Sequence, residues 1–411
     1  MDWAFFGYKH YPFSVNPITM KTLELFTGHD EEVQLCQNVL HDNNVRLVVE
    51  GARGVGTTSF ANYLKFRAQE KKLYLAPRVE VSVEANWNLE SLLTAVISNI
   101  VREMEAIDGK IIKHKAFKEA KALSGRLSEA YNSFGISAFS MGGSYGKSAT
   151  VSQPSFIPST TLGHHLRDLG ELAVTQGYKN GILIQLNNLD LNVIHSHEHL
   201  AYLFNAARDF FQIENVSWLL VGDIGLTSFI ATKVDRLDDI ISERVFISPL
   251  SKDDYHKLIA KRLAYYRIDK KSKFPLGEDV FDFLYDITEG RLRYIFALVY
   301  SMLNRLQIGK LVQNVSFDLA RDTVSNLVRE RLAKFSLTKA ELDIIQILGD
   351  LGQANVAEIS ETSEKNRTYI SKLLSGLLQK KCVNVTKDGN QRIYQLELDA
   401  KIAYLVDAYN T

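Results

Sequence analysis

Residues 51–58 read Gly51-Ala52-Arg53-Gly54-Val55-Gly56-Thr57-Thr58, with glycines spaced so that backbone alone can close around an anion. The run follows a short β-branched stretch, 45–50 (VRLVVE), and opens a helical pattern over 57–70. A glycine turn between strand and helix aims backbone N–H groups and the positive end of the helix at one point, which is the chemistry of phosphate binding. The frame therefore predicts a nucleotide cradle made of Gly51, Gly54, Val55, Gly56, Thr57, Thr58 and Ser59, taking ATP or ADP. Thr58 stands where a hydroxyl would ligate magnesium. Position 57, from which a lysine would reach the β- and γ-phosphates, holds a neutral threonine. Without that lysine, an ordinary strand–turn–helix remains the competing reading.

A second set of chemical positions ends the apolar run 181–186 (GILIQL). Two acids there would orient magnesium and activate water. Asn187 and Asn188 occupy the positions instead, and asparagine keeps the shape without the charge. Asp190 follows two residues further on. The competing reading is a buried strand with a polar end. Thr57, Asn187 and Asn188 together predict weak or absent hydrolysis. A working ATPase would need Arg53 or a partner subunit to supply the missing charge.

The third set lies near the C-terminus. Between 365 and 392 seven basic residues (365, 367, 372, 380, 381, 387 and 392) face one acid, Asp388, in a chain whose formal net charge is zero. The apolar positions Ile370, Leu373, Leu374 and Leu377 form a helical stripe, leaving Lys365, Asn366, Arg367, Thr368, Tyr369, Ser371 and Lys372 on the opposite face. Such side chains reach phosphates and base edges from a helix in the major groove. Two β-prone runs, 383–386 and 392–396, flank Lys387-Asp388-Gly389-Asn390, where Asp-Gly signals a hairpin turn. Lys381, Lys387 and Arg392 extend the basic set into that hairpin. The partner this implies is double-stranded DNA, with a protein-contact role as the alternative. His195 and His199, in the run HSHEH, would share a helix face able to hold a metal. No third ligand has a recognisable spacing, and a solvated helix start is expected.

These positions need a scaffold, and the bulk composition permits one. The chain has 411 residues, 46% hydrophobic and 23% charged, enough for two to four globular domains. Its two cysteines, Cys36 and Cys382, fall in different segments and predict idle thiols in a reducing compartment. The N-terminus lacks a secretory pattern and no run approaches a membrane span, so the reading is a cytoplasmic protein without a membrane partner. Strand and helix patterns alternate up to about residue 223, predicting a mostly parallel sheet with helices on both faces. The pattern turns wholly helical over 251–332. The expected organisation is a leader (1–27), a nucleotide-binding core (28–250, with a hairpin insertion at 134–150), an all-α lid (251–332), a winged helix-turn-helix domain (336–398) and a tail (399–411).

Residues 28–330 resemble the AAA+ and related STAND-type P-loop ATPases, the initiator-like and transposition-helper-like branches above all. Gly28-His29-Asp30-Glu31-Glu32 resembles the box ahead of the phosphate loop that helps hold adenine, with His29 in place of arginine. The segment 218–223 resembles the sensor-1 strand. The segment 241–246 resembles the one carrying an arginine finger, which makes Arg244 a candidate. Gly290-Arg291-Leu292-Arg293-Tyr294 resembles the start of the sensor-2 helix, which implies that Arg293 meets the nucleotide. The segment 336–398 is similar to winged helices of the multiple-antibiotic-resistance-regulator type. The resemblance implies a nucleotide-responsive, DNA-bound assembly factor in mobile-element, replication or defence systems, associating with itself or with other proteins of the same system. An active ATPase and a non-enzymatic scaffold or transcription regulator stay as alternatives.

Overall fold

The computed structural model describes residues 3–84, 86–107, 111–133, 158–190, 197–269, 272–307, 314–388 and 391–408. The expected hairpin at 134–150 lies outside them, as does His195. By contacts the chain forms two compact units. One is Asn16–Ser248; the other joins Met1–Val15 to Pro249–Thr411.

The Asn16–Ser248 unit is built on five parallel strands: β1 (Arg46–Gly51), β2 (Val81–Ser82), β3 (Ile182–Asn187), β4 (Val216–Gly222) and β5 (Glu243–Ile247), in the order β2-β3-β4-β1-β5. Each of the central strands reads as an apolar run because both faces are covered. Alternate side chains divide between two cores. Leu47, Val49, Leu183, Leu219 and Val221 pack with α1 (Asp30–Val39) and α2 (Thr57–Glu70). Val48, Ile182, Ile184, Trp218 and Leu220 pack on the other face with α3 (Leu89–Ile107), α4 (Lys115–Ser133), α5 (Ser159–Thr175), α6 (His197–Ala207) and α7 (Leu226–Lys233). The short helix α8 (Asp235–Asp238) leads into β5. That strand is an edge strand: only Val245 and Ile247 are buried, between charged or exposed neighbours, so its sequence carries half the apolar signal of a central strand.

The second unit contains α9 (Lys252–Tyr266), α10 (Glu278–Thr288), α11 (Leu292–Arg305) and α12 (Phe317–Ala333). A compact three-helix, three-strand module follows: α13 (Lys339–Leu351), β6 (Gln353–Asn355), α14 (Val356–Ser363), α15 (Arg367–Gln379), β7 (Val383–Asp388) and β8 (Gln391–Leu396). Its strands pair antiparallel in the order β6-β8-β7. Helix starts follow their capping residues. Ser251, Ser316 and Asn366 each accept a backbone N–H, and Thr338 with Glu341 and Asn355 with Glu358 form reciprocal boxes.

Both chain ends depart from the expected leader and tail. Phe6, Tyr8 and Phe13 are buried in the core of the helical unit, Phe13 against Phe274, Phe281 and Phe296. Buried Arg262 donates to the Pro12 carbonyl at 3.2 Å. Residues from Asn16 onward belong instead to the sheet unit, where Leu23 and Leu25 are buried. At the C-terminus, 398–408 form α16, which puts Leu398, Ile402 and Val406 into the helical core. Tyr404 of the same helix packs on the winged-helix core and donates to Asp350 at 2.8 Å.

Candidate functional site

The phosphate loop leaves β1 at Gly51 and enters α2 at Thr57. A Cβ on Gly51 would sit 2.4 Å from the Ile247 carbonyl oxygen of β5, so no side chain fits there. Gly56 has φ 121°, a conformation that favours glycine, and nothing lies within 4 Å of where its Cβ would be. The start of α2 has no side-chain cap, and its first intrahelical donor is Phe60 N–H to the Gly56 carbonyl at 2.9 Å. The amides of Thr57, Thr58 and Ser59 are the orphan donors of a helix start. Val55 is buried beneath the loop and Arg53 is exposed.

Ser59 points elsewhere. Its hydroxyl accepts the Ile18 N–H at 3.2 Å, and Asn62, one turn on, donates to the Ile18 carbonyl at 2.8 Å. The cradle helix is thus fastened to the segment leading into the sheet unit. On the other side of the loop, Glu50 accepts the Thr227 N–H at 2.8 Å, tying the end of β1 to the first turn of α7.

Thr58 and Asn187 do come together, with the Asn187 amide nitrogen 3.5 Å from the Thr58 hydroxyl, at the long limit of a hydrogen bond. The Asn187 carbonyl oxygen accepts instead from Gln185 Nε2 at 2.9 Å. Gln185 and Asn187 are two apart on one strand and share a face. They are 2% and 4% exposed. Asn188 is exposed and adopts φ 61°, a left-handed conformation asparagine tolerates better than most residues. Magnesium is ordinarily held through one or two carboxylates together with substrate phosphates. The donor set of Thr58, Asn187 and Asn188 offers a hydroxyl and two neutral amides, and does not suit that ion. Among the described residues no group of three or more His, Cys, Asp or Glu is arranged to hold a metal. His199 is bonded to the Trp87 carbonyl at 2.8 Å.

The two arginines implied by resemblance have different settings. Arg244, on β5, is half-buried and bonded to Asp238 of its own chain, 2.5 Å from Oδ1. Arg293 is exposed in the first turn of α11, in the other compact unit.

The winged module brings the C-terminal candidates onto α15 and the β7–β8 hairpin. Ile370, Leu374 and Leu377 are buried, while Arg367, Thr368, Tyr369, Ser371 and Lys372 are exposed. Lys381 and Arg392 are exposed too. Lys387 pairs with Arg392 in the β7–β8 register. Three members of the set have structural work. Asn366 caps α15, its Oδ1 accepting the Tyr369 N–H at 2.8 Å. Lys365 lies 3.9 Å from Asp343 and 5.7 Å from the Tyr369 ring centroid. Lys380 is 2.8 Å from both carboxylate oxygens of buried Glu341 and donates to the Ser336 carbonyl at 3.2 Å. Burial acts to raise the Glu341 carboxyl, but Lys380 and Thr338 hydrogen bonds hold it below the usual carboxylate range. The exposed basic face is therefore narrower than the composition of 365–392 indicates.

Gln185 was missed from the sequence, although a polar residue inside an apolar strand, two before Asn187, marks a shared face. Ile18 and Asn62 had no distinguishing signal.

Comparison with known proteins agrees with this architecture. The family model described as Penicillinase repressor matches residues 337–403. An uncharacterised HTH-type transcriptional regulator of Methanocaldococcus jannaschii is 20% identical over 403 residues, covering 96% of this chain and 91% of the relative. The Aeropyrum pernix ORC2 protein, in its ADPNP–ADP complexes, superposes with a TM-score of 0.52 at 14% identity, covering 97% of each chain. Its ADP form gives 0.50 at 14% identity, over 99% of this chain and 97% of that one. The fold is that of an AAA+ P-loop ATPase with a C-terminal winged helix. No described helix is long and apolar enough to cross a membrane.

Proposed function

We propose that this chain binds ATP or ADP in the loop 51–58 and double-stranded DNA through α15 and the β7–β8 hairpin, with hydrolysis slow or absent. It would act as a nucleotide-responsive assembly factor on DNA. The observation carrying the reading is the open glycine loop between β1 and α2, on a parallel sheet of AAA+ order, in the same chain as a winged helix with an exposed basic face. That the similar ORC2 protein was solved in ADPNP–ADP complexes and in an ADP form supports the nucleotide half. The helix-turn-helix regulator named for the full-length relative supports the DNA half, and also favours a second reading as a transcription regulator. Thr57, Asn187 and Asn188 support the loss of turnover, because neither a cation nor a general base stands where hydrolysis needs one.

The test is a thermal melt of the full chain with millimolar ATP or ADP, followed by a steady-state turnover assay. Either nucleotide should raise the melting temperature by mass action, and turnover should stay at background. No shift with either nucleotide removes the site reading. Rapid turnover that disappears in Thr58→Ala removes the claim of impaired hydrolysis.

A further inference from the structure

We infer that the loop 51–58 is a metal-independent nucleoside diphosphate site: it holds ADP through backbone amides, and magnesium contributes nothing to the affinity. The inference rests on the nucleotide reading above and concerns the chemistry of that same site.

The argument is a charge inventory around the cradle. A magnesium-dependent site draws on a hydroxyl, a carboxylate behind it and the phosphate oxygens. Here the hydroxyl of Thr58 faces the Asn187 amide, and the Asn187 carbonyl is bonded to Gln185 in the buried interior of β3. Turning both amides over would keep the pair bonded and leave the position neutral, so the conclusion does not depend on which way either amide lies. Asn188 is neutral and cannot replace the carboxylate. At Thr58, Asn187 and Asn188 a divalent ion would surrender water without gaining an anionic ligand, and Mg2+ dehydrates reluctantly.

The same inventory sets the length of the phosphate chain. Thr57 brings no charge to the γ-position. What remains favourable is the open first turn of the 14-residue helix α2, whose amides and dipole suit an anion without a metal.

Isothermal titration of the full chain with ADP, in EDTA and again in excess MgCl2, tests this. The expected result is one dissociation constant within about threefold in the two media, with ATP no tighter than ADP in EDTA. Asn187→Asp should create the missing dependence, weakening ADP in EDTA and recovering it in MgCl2. A magnesium gain of about tenfold or more in the unaltered chain overturns the inference and leaves the nucleotide reading standing. ATP about tenfold tighter than ADP in EDTA overturns the diphosphate preference. No ADP binding in either medium removes the nucleotide reading and this inference with it. Because the unaltered chain decides each of these, a variant that fails to fold does not rescue the idea.

Discussion

Lys380 and Lys372 carry the same charge on one helix and its C-cap, yet their settings differ, one paired with an acid and the other exposed. Lys380 ends α15 with Nζ 2.8 Å from both oxygens of Glu341, whose side chain is 7% exposed against 28% for the lysine. Removing one partner of a buried pair costs about 3–5 kcal/mol, because the other charge stays behind. Glu341 would keep its bonds from Thr338, at 2.8 Å from the amide and 2.9 Å from the hydroxyl. The cost of Lys380→Ala should therefore fall lower, at about 2–3 kcal/mol. Lys372 is exposed, so Lys372→Ala should change stability by less than about 0.5 kcal/mol. Hydrogen exchange across α13 and α15 in the full chain reads those costs locally. Fluorescence anisotropy on duplex DNA over a salt series reads the charge that meets phosphate. Lys372→Ala should shallow the log–log salt slope by about one, and Lys380→Ala should leave it unchanged. If Lys380→Ala lowers the slope while exchange protection stays intact, the buried-pair reasoning is wrong and Lys380 belongs to the DNA face.

Two further outcomes follow from buried or capping groups. Burial pushes the Lys65 ammonium down to about 8, and Lys65 donates to the Arg78 carbonyl at 3.4 Å. A lowered lysine pKa means the unfolded chain binds more protons between about 8 and the usual lysine value, so stability should rise with pH through that window. Lys65→Met should flatten that rise and stabilise the chain at neutral pH, by up to about 3 kcal/mol in a denaturant titration. Asn366→Ala should cost about 1 kcal/mol of α15 stability in hydrogen exchange through the lost cap. It should weaken different DNA sequences alike, whereas Arg367→Ala should cost about 1–3 kcal/mol on a preferred sequence and little elsewhere.

The parts of this architecture that read well from sequence are those where local pattern and tertiary setting agree. The glycine frame at 51–56 was visible because only glycine meets its steric demands. The central strands were visible because burial on both faces makes them continuous apolar runs. Caps such as Thr338 with Glu341 and Asn355 with Glu358 announce their helices. Other features depend on contacts far apart in sequence. Nothing near Lys380 says that Glu341, 39 residues earlier, will take it out of the basic face. The aromatic residues of 3–13 read as a leader because their partners, Phe274, Phe281 and Phe296, lie beyond the whole sheet unit. Edge strand β5 hides behind its charged residues, Glu243 and Arg244. Helix α16 follows the hairpin so closely that the wing appeared to end the domain.

The most direct test of the central claim is the affinity of the full chain for duplex DNA, measured by anisotropy at one salt concentration, with and without saturating ADP. A nucleotide-responsive DNA-binding protein predicts binding in both states, with dissociation constants differing by about fivefold or more, the usual scale of coupling between two sites. Superimposable curves would contradict the claim that the loop 51–58 governs DNA binding. Absence of binding even at low salt would contradict the assignment of α15 and its hairpin to DNA.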